Sequence, residues 1–126
     1  MTRFYLMRHG QTLFNTLNRI QGWCDSPLTE KGQDQARQVR AYFEKHGLTF
    51  GQYYCTTTER ASDTLELATG RTDYKRVKGL KEMHFGIFEG QPEYLHPKIQ
   101  IQGHFGDHYV QFGGESQDQF VERVVN

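Results

Sequence analysis

Charge of one sign is missing: 15 Lys and Arg face 15 Asp and Glu, so the 126-residue chain has no formal net charge. That removes the electrostatic case for a nucleic acid or an anionic membrane as main partner. Cysteine is scarce. Cys24 and Cys55 are too few for a disulfide framework and imply free, inert thiols in a reducing compartment, hence a cytoplasmic protein. No apolar run nears the roughly 20 residues that span a bilayer. The four apolar residues 4–7 behind Met1-Thr2-Arg3 are too short for the core of a secretory signal. Internal repeats, low-complexity tracts and linkers are absent as well.

What is present fits a globular domain. Hydrophobic residues make up 36% and 13 glycines add about a tenth of the chain, close to the globular average of about 45–50%. The length predicts one domain over residues 1–126, able to bury roughly two-thirds of its unfolded surface.

Short apolar runs alternate with amphipathic stretches. Residues 4–7 are continuously apolar, which predicts a strand buried on both faces, as in a parallel sheet covered by helices. Thr29 is the expected N-cap of a helix in which Ala36, Val39 and Phe43 recur at helical spacing and Lys45-His46-Gly47 closes the end. Residues 50–55 predict a second strand. Thr58 starts a second helix, with Ala61, Leu65 and Ala68 on one face and Gly70 at its end. Residues 77–80 predict a third strand. Residues 89–114, punctuated by Gly and Pro, predict mostly loop with one short helix. Ser116 and Gln119 fit a capping box ahead of a stripe of Phe120, Val121, Val124 and Val125. Strand–helix alternation argues an α/β fold with a largely parallel sheet, whose ligands bind beyond the carboxyl ends of the strands.

Arg8-His9-Gly10, Thr56 to Arg60, and Glu82 fall at three such ends. One imidazole, two guanidinium groups and one carboxylate suit phosphoryl transfer. Arg8 and Arg60 can hold phosphate oxygens bidentately, a geometry Lys lacks. Nearby cations disfavour imidazolium and keep His9 neutral and nucleophilic. Gly10 leaves room for the phosphoryl group. Asn15, Gln21 and the Gly22 backbone add neutral donors. Glu82 can protonate a leaving alcohol and then deprotonate the water that attacks phosphohistidine. A neighbouring phosphate dianion would favour its protonated form. Trp23 and Phe14 read as core or pocket wall. His104 and His108 are four apart, with Gly106 between and no Glu after the first, which makes them poor zinc ligands.

The run from Leu6 through Arg8-His9-Gly10-Gln11-Thr12 to Asn15 resembles the signature of the histidine phosphatase superfamily, phosphoglycerate mutase-like branch. The resemblance continues through Gln21-Gly22-Trp23-Cys24-Asp25-Ser26-Pro27-Leu28-Thr29-Glu30-Lys31-Gly32 and Thr56-Thr57-Thr58-Glu59-Arg60-Ala61-Ser62-Asp63-Thr64. It extends to Leu80-Lys81-Glu82-Met83-His84-Phe85-Gly86-Ile87-Phe88-Glu89-Gly90 and to Gly113-Gly114-Glu115-Ser116 with Arg123. It implies a three-layer α/β/α phosphoglycerate mutase-like sheet, incomplete at the C-terminus. It implies His9 as the residue phosphorylated in turnover and Glu82 as proton donor and acceptor. Arg8, Asn15, Gln21, Gly22 and Arg60 match phosphate-binding positions, and Thr58 lines the pocket. No metal or organic cofactor is implied, and the partner is a small phosphorylated metabolite.

The chain departs from the family at two places. Thr56-Thr57-Thr58 stands where Ser-Pro-Leu is usual. The family's second histidine, on a Val-Ser-His-Gly motif, does not appear, and His84, His96, His104 and His108 stand in other contexts. In the family that motif ends a fourth strand lying between the strands that lead to His9 and Arg60. We expect a truncation, with the sheet closed by direct pairing or by a second copy of the chain, or else a longer working protein. Losing one phosphate-stabilising group costs about 10²–10³ in rate, so weak or absent hydrolysis is expected. Phosphoglycerate mutase-type transfer is the enzymatic alternative, and a non-catalytic phosphate binder the alternative of another class.

Overall fold

The computed structural model describes residues 2–98 and 104–126. Thr12 opens α1 (Leu13–Leu17). Its side chain accepts from the Asn15 N–H while the Asn15 side-chain oxygen accepts from the Thr12 N–H, at 2.9 Å, a reciprocal cap that satisfies two otherwise orphaned donors. Asn18, in the left-handed region at φ 53°, ends it. Helix α2 (Glu30–Lys45) begins as expected at Thr29, whose hydroxyl accepts from the Gly32 N–H. Gly10 and Gly32 let the chain entering α1 lie directly on the first turn of α2. A Cβ on Gly10 would come within 2.3 Å of the Gly32 carbonyl oxygen, and one on Gly32 within 2.0 Å of the Gln11 carbonyl oxygen. The space that Gly10 leaves is therefore taken by a helix, not by an incoming ligand.

The sheet is much smaller than the sequence suggests. Two strands, β1 (Tyr54–Cys55) and β2 (Lys75–Arg76), run parallel, with Tyr54 opposite Lys75 and Cys55 opposite Arg76. The strand expected over residues 50–55 is cut to its last two residues. The one expected over residues 77–80 moves upstream, and a single 3₁₀ turn (Lys78–Leu80) takes its place. Residues 4–7 join no strand, and Phe4 is 85% and Leu6 97% exposed. Their apolar character selects a buried, paired position, but pairing needs a neighbouring backbone. No described element supplies one.

Between β1 and β2 the chain crosses over through α3 (Glu59–Thr69), which ends at Gly70 in the left-handed conformation, φ 70°. Helices α2 and α3 pack against each other, with Ala36 and Ala68 fully buried. The buried face of α3 carries Arg60, Ser62 and Thr64 beside Ala68, while Ala61 and Leu65 are only half-buried. A polar buried face on a short helix points to work other than packing. A second core forms from Ile20, Met83, Phe85 and Tyr109, with Phe88, Phe105 and Phe120 packed around it. Burial pushes the Tyr109 phenol up to about 12, and its hydroxyl pairs with His96 Nδ1. Of the loop expected over residues 89–114, residues 89–98 and 104–114 include short 3₁₀ turns (Glu93–Leu95 and Val110–Phe112), and residues 99–103 lie outside the described residues. Helix α4 (Gln117–Val125) starts at the Ser116–Gln119 capping box. Phe120 contributes to the core, but Val121, Val124 and Val125 of the expected stripe stay exposed.

Candidate active site

His9 sits where the extended residues 4–9 meet α2 and α3. With Met7, Arg8 and Gly10 it lines a cavity of about 260 Å³ closed by Gln35, Ala36 and Val39 of α2 and Thr64 of α3. Its Nδ1 lies 2.7 Å from the Gly10 carbonyl oxygen. A carbonyl only accepts, so this contact places the proton on Nδ1 and the lone pair on Nε2. Burial lowers the His9 pKa. The Gly10 bond opposes that, the Arg60 and Arg8 cations lower it further, and Glu82 raises it weakly. The net result is a neutral imidazole whose Nε2 has no hydrogen-bond partner among the described residues.

Arg60 lies on the first turn of α3 and is only 3% exposed. Its Nη1 donates to the Cys24 carbonyl at 2.6 Å and to Asp25 Oδ1 at 3.2 Å, and its Nη2 donates to the Gly22 carbonyl at 2.6 Å. Among the described residues nothing accepts from Nε. The Nε edge thus keeps donors free for an anion, while the opposite edge is fixed by the loop. Asp25 supports the same corner: its Oδ2 accepts from the Glu59 N–H at 2.6 Å. This replaces the N-cap bond that the Thr58 side chain does not make. Thr58 is buried and pairs through its hydroxyl with Thr56, 2.8 Å away.

Arg8 is exposed and makes no hydrogen bond among the described residues. The other expected phosphate ligands are more committed to the protein. Gln21 accepts from the Ser26 hydroxyl at 2.6 Å and donates to the Thr12 hydroxyl at 3.0 Å. The Asn15 oxygen completes the α1 cap, leaving its amide nitrogen without a partner among the described residues. The Gly22 N–H points at a carboxylate of the chain itself, Glu89, at 3.1 Å.

Glu82 is exposed, and one of its carboxylate oxygens accepts from the Met83 N–H at 2.8 Å. The backbone that carries it is clamped by Arg123 and Glu115. Arg123 donates through Nη1 to the Gly79 and Lys81 carbonyls and through Nη2 to the Glu82 carbonyl, at 2.8–3.0 Å. Its Nε and Nη2 also grip both oxygens of Glu115. Glu115 accepts in turn from the His84 N–H at 2.8 Å. Burial pushes the Glu115 carboxyl up, but Arg123 and the His84 bond outweigh it and hold the group below its ordinary value. Trp23 stacks on His84 with ring centroids 4.3 Å apart, and Lys81 Nζ lies 4.8 Å from the indole centroid.

Sequence reasoning did not assign roles to Asp25, Thr64, Glu89, Glu115 or Arg123. Asp25, Glu89, Glu115 and Arg123 lie inside quoted motifs, and Thr64 follows the Arg60-Ala61 pair. Polar residues at fixed places in otherwise apolar motifs were the available signal.

Comparison with known proteins places this geometry in context. The chain matches the histidine phosphatase superfamily (branch 1) over residues 4–126. It is 32% identical over 123 residues to a 2,3-bisphosphoglycerate-dependent phosphoglycerate mutase of Lactobacillus acidophilus, covering 94% of this chain and 51% of that protein. Among solved structures it is similar to phosphoglycerate mutase from Bacillus anthracis str. Sterne, with a TM-score of 0.77, 28% identity and coverage of 91% of this chain and 60% of that one. It is also similar to Bacillus stearothermophilus YhfR, with a TM-score of 0.75, 28% identity and coverage of 94% and 61%. The chain thus spans about half the length of the mutase it matches, with a mixed α/β fold like that of the solved structures. No helix among the described residues is long and apolar enough to cross a membrane. On the match over residues 4–126, the chain belongs to branch 1 of the histidine phosphatase superfamily, a family of enzymes of phosphoryl transfer and hydrolysis.

Proposed function

We propose that the site hydrolyses small phosphomonoesters through a phosphohistidine on His9. The observation that carries this reading is the His9 imidazole, held by the Gly10 carbonyl at 2.7 Å, with Arg60 and Arg8 near enough to lower its pKa. In the first step the Nε2 lone pair forms a bond to phosphorus as the bond to the ester oxygen breaks. Arg8 and the free edge of Arg60 hold the non-bridging oxygens, and Glu82 gives its proton to the departing alkoxide. In the second step the Glu82 carboxylate takes a proton from water. The water oxygen bonds to phosphorus, the P–N bond breaks, and its electron pair returns to Nε2, releasing inorganic phosphate.

The Met83-His84-Phe85-Gly86 and Phe88-Glu89-Gly90 sequences favour hydrolysis over mutase-type transfer, whose family pattern has Arg-His-Tyr-Gly and Leu-Gln-Gly. A phosphate binder without turnover is the reading favoured by the donors of Gln21 and Gly22 being engaged within the protein. Incubation with p-nitrophenyl phosphate, quenching in base and ³¹P NMR separates these readings. An acid-labile phosphohistidine that disappears in His9→Ala supports hydrolysis. Phosphate binding without label refutes it and favours the binder.

A further inference from the structure

Glu89 directly follows Phe88 of the second core, 29 residues beyond Arg60, and lines neither described cavity. Its carboxylate nevertheless gathers three successive backbone donors. Oε2 accepts from Gly22 N–H and Cys24 N–H, both at 3.1 Å, and Oε1 accepts from Trp23 N–H at 2.7 Å. Phe85 N–H adds a fourth bond at 3.3 Å. Three consecutive N–H groups converging on one anion form a nest, a conformation the backbone adopts when an anion fills it. A carboxylate accepting several backbone N–H bonds is held firmly, because each bond is charge-assisted.

The opposite side of the same loop holds Arg60. The carbonyls of Gly22 and Cys24, whose N–H groups point at Glu89, accept from Nη2 and Nη1 of Arg60 at 2.6 Å each. The loop is thus pinned between one anion and one cation. A side chain on Gly22 would collide on the Glu89 side of the loop, its Cβ lying 2.1 Å from the Met83 carbonyl oxygen and 2.4 Å from Glu89 Oε1. We propose that Glu89 is a positioning residue for Arg60: by folding residues 22–24 around its carboxylate it aims two carbonyls at the guanidinium and fixes which edge of Arg60 the loop engages and which it leaves free. This rests on the reading of Arg60 as a phosphate ligand, and it adds a residue that touches neither phosphate nor His9.

The electrostatics at His9 supply a readout that distinguishes positioning from bulk stability. Removing the Glu89 anion acts directly only to lower the pKa of a histidine. Displacing the Arg60 cation acts the other way and raises it. The test follows the His9 ring by NMR titration in the full chain, with Arg60→Met as the calibrating variant. We expect Glu89→Ala to raise the His9 pKa toward the Arg60→Met value, and the double variant to rise no further. Inorganic phosphate, the probe for binding, should bind about tenfold more weakly to Glu89→Ala, a loss of about 1.4 kcal/mol. Glu89→Gln keeps one accepting oxygen for the Trp23 and Phe85 N–H groups and sets an amide nitrogen against those of Gly22 and Cys24, so a partial rise is expected there, the milder variant being the one read if the alanine variant unfolds. An unchanged or lowered His9 pKa in Glu89→Gln, with Arg60→Met raising it, overturns the proposal. Unaltered phosphate binding in Arg60→Met instead refutes Arg60 as a phosphate ligand, while the coupling to Glu89 is still decided by the His9 titration.

Discussion

Gly10 and Thr64, 54 residues apart, are joined by a buried hydrogen bond: the Gly10 N–H donates to Thr64 Oγ1 at 3.1 Å. The same hydroxyl donates to the Arg60 carbonyl at 2.6 Å, so one side chain of α3 ties the backbone beside His9 to the backbone of Arg60. Thr64→Val keeps the shape and strands the buried Gly10 N–H, while the Arg60 carbonyl keeps its helical partner. It should cost about 1–3 kcal/mol, seen as a lower urea midpoint, and Thr64→Ser should restore most of the loss. A midpoint within error of the parent for Thr64→Val would refute the tie.

His9 gives a pH signature. Its pKa is lowered from the ordinary 6.5, chiefly by burial. Below pH 6.5 the unfolded chain takes up a proton that the folded chain refuses until a lower pH. Stability from this group is therefore complete above pH 6.5 and declines as the pH falls from 6.5 to the folded pKa. Urea midpoints measured from pH 7.5 to 5 should fall, and fall less in His9→Gln. Identical slopes for the two proteins would show that His9 titrates as it does in an open chain.

Cys24 offers a probe of the Glu89 loop. Burial together with the charge and hydrogen bonding of Glu89 pushes its thiol up to about 11, so at pH 8 almost no thiolate is present. In a Cys55→Ser background, Cys24 should react slowly with a disulfide reagent, and Glu89→Gln should speed it at least several-fold as the anion is removed. Equal rates in parent and variant would mean that the carboxylate does not face the thiol.

The Arg123–Glu115 pair should govern the segment that carries Glu82. All five guanidinium N–H groups of Arg123 have partners in Glu115 and three carbonyls. Lysine lacks that planar array. Arg123→Lys and Glu115→Gln should each cost about 1–3 kcal/mol and hasten amide hydrogen exchange over residues 79–84, leaving α2 protected. Exchange that rises equally in α2 would show global loosening in place of a local clamp.

The sequence is legible where a local rule acts alone. Thr29, Ser116 and Gly70 mark helix ends because capping chemistry is decided within four residues. His9, Arg60 and Glu82 stand out because their side chains have little reason to share strand ends unless they meet a ligand. Strands were harder to read. Residues 4–7 carry the pattern of a central strand, yet a strand exists only with a partner, and no pattern within the segment supplies one. In the sequence Gly10 reads as room for phosphate, whereas the Gly32 carbonyl takes the space, a contact between residues 22 positions apart. Glu89 was hidden for the same reason. Three of its four partners are backbone N–H groups more than 60 residues away, which any sequence would offer.

Trp23 is the single tryptophan of the chain. It lies in the loop between Glu89 and Arg60, stacked on His84 and flanked by Lys81 at 4.8 Å and Arg123 at 5.8 Å from its ring centroid. With Lys78 Nζ at 5.9 Å as the third cation, an indole stacked on an imidazole and ringed by charge has an emission sensitive to any change in their spacing. The protein thus carries its own fluorophore at the junction of nest and guanidinium, and anion titrations can be followed by intrinsic emission without a label.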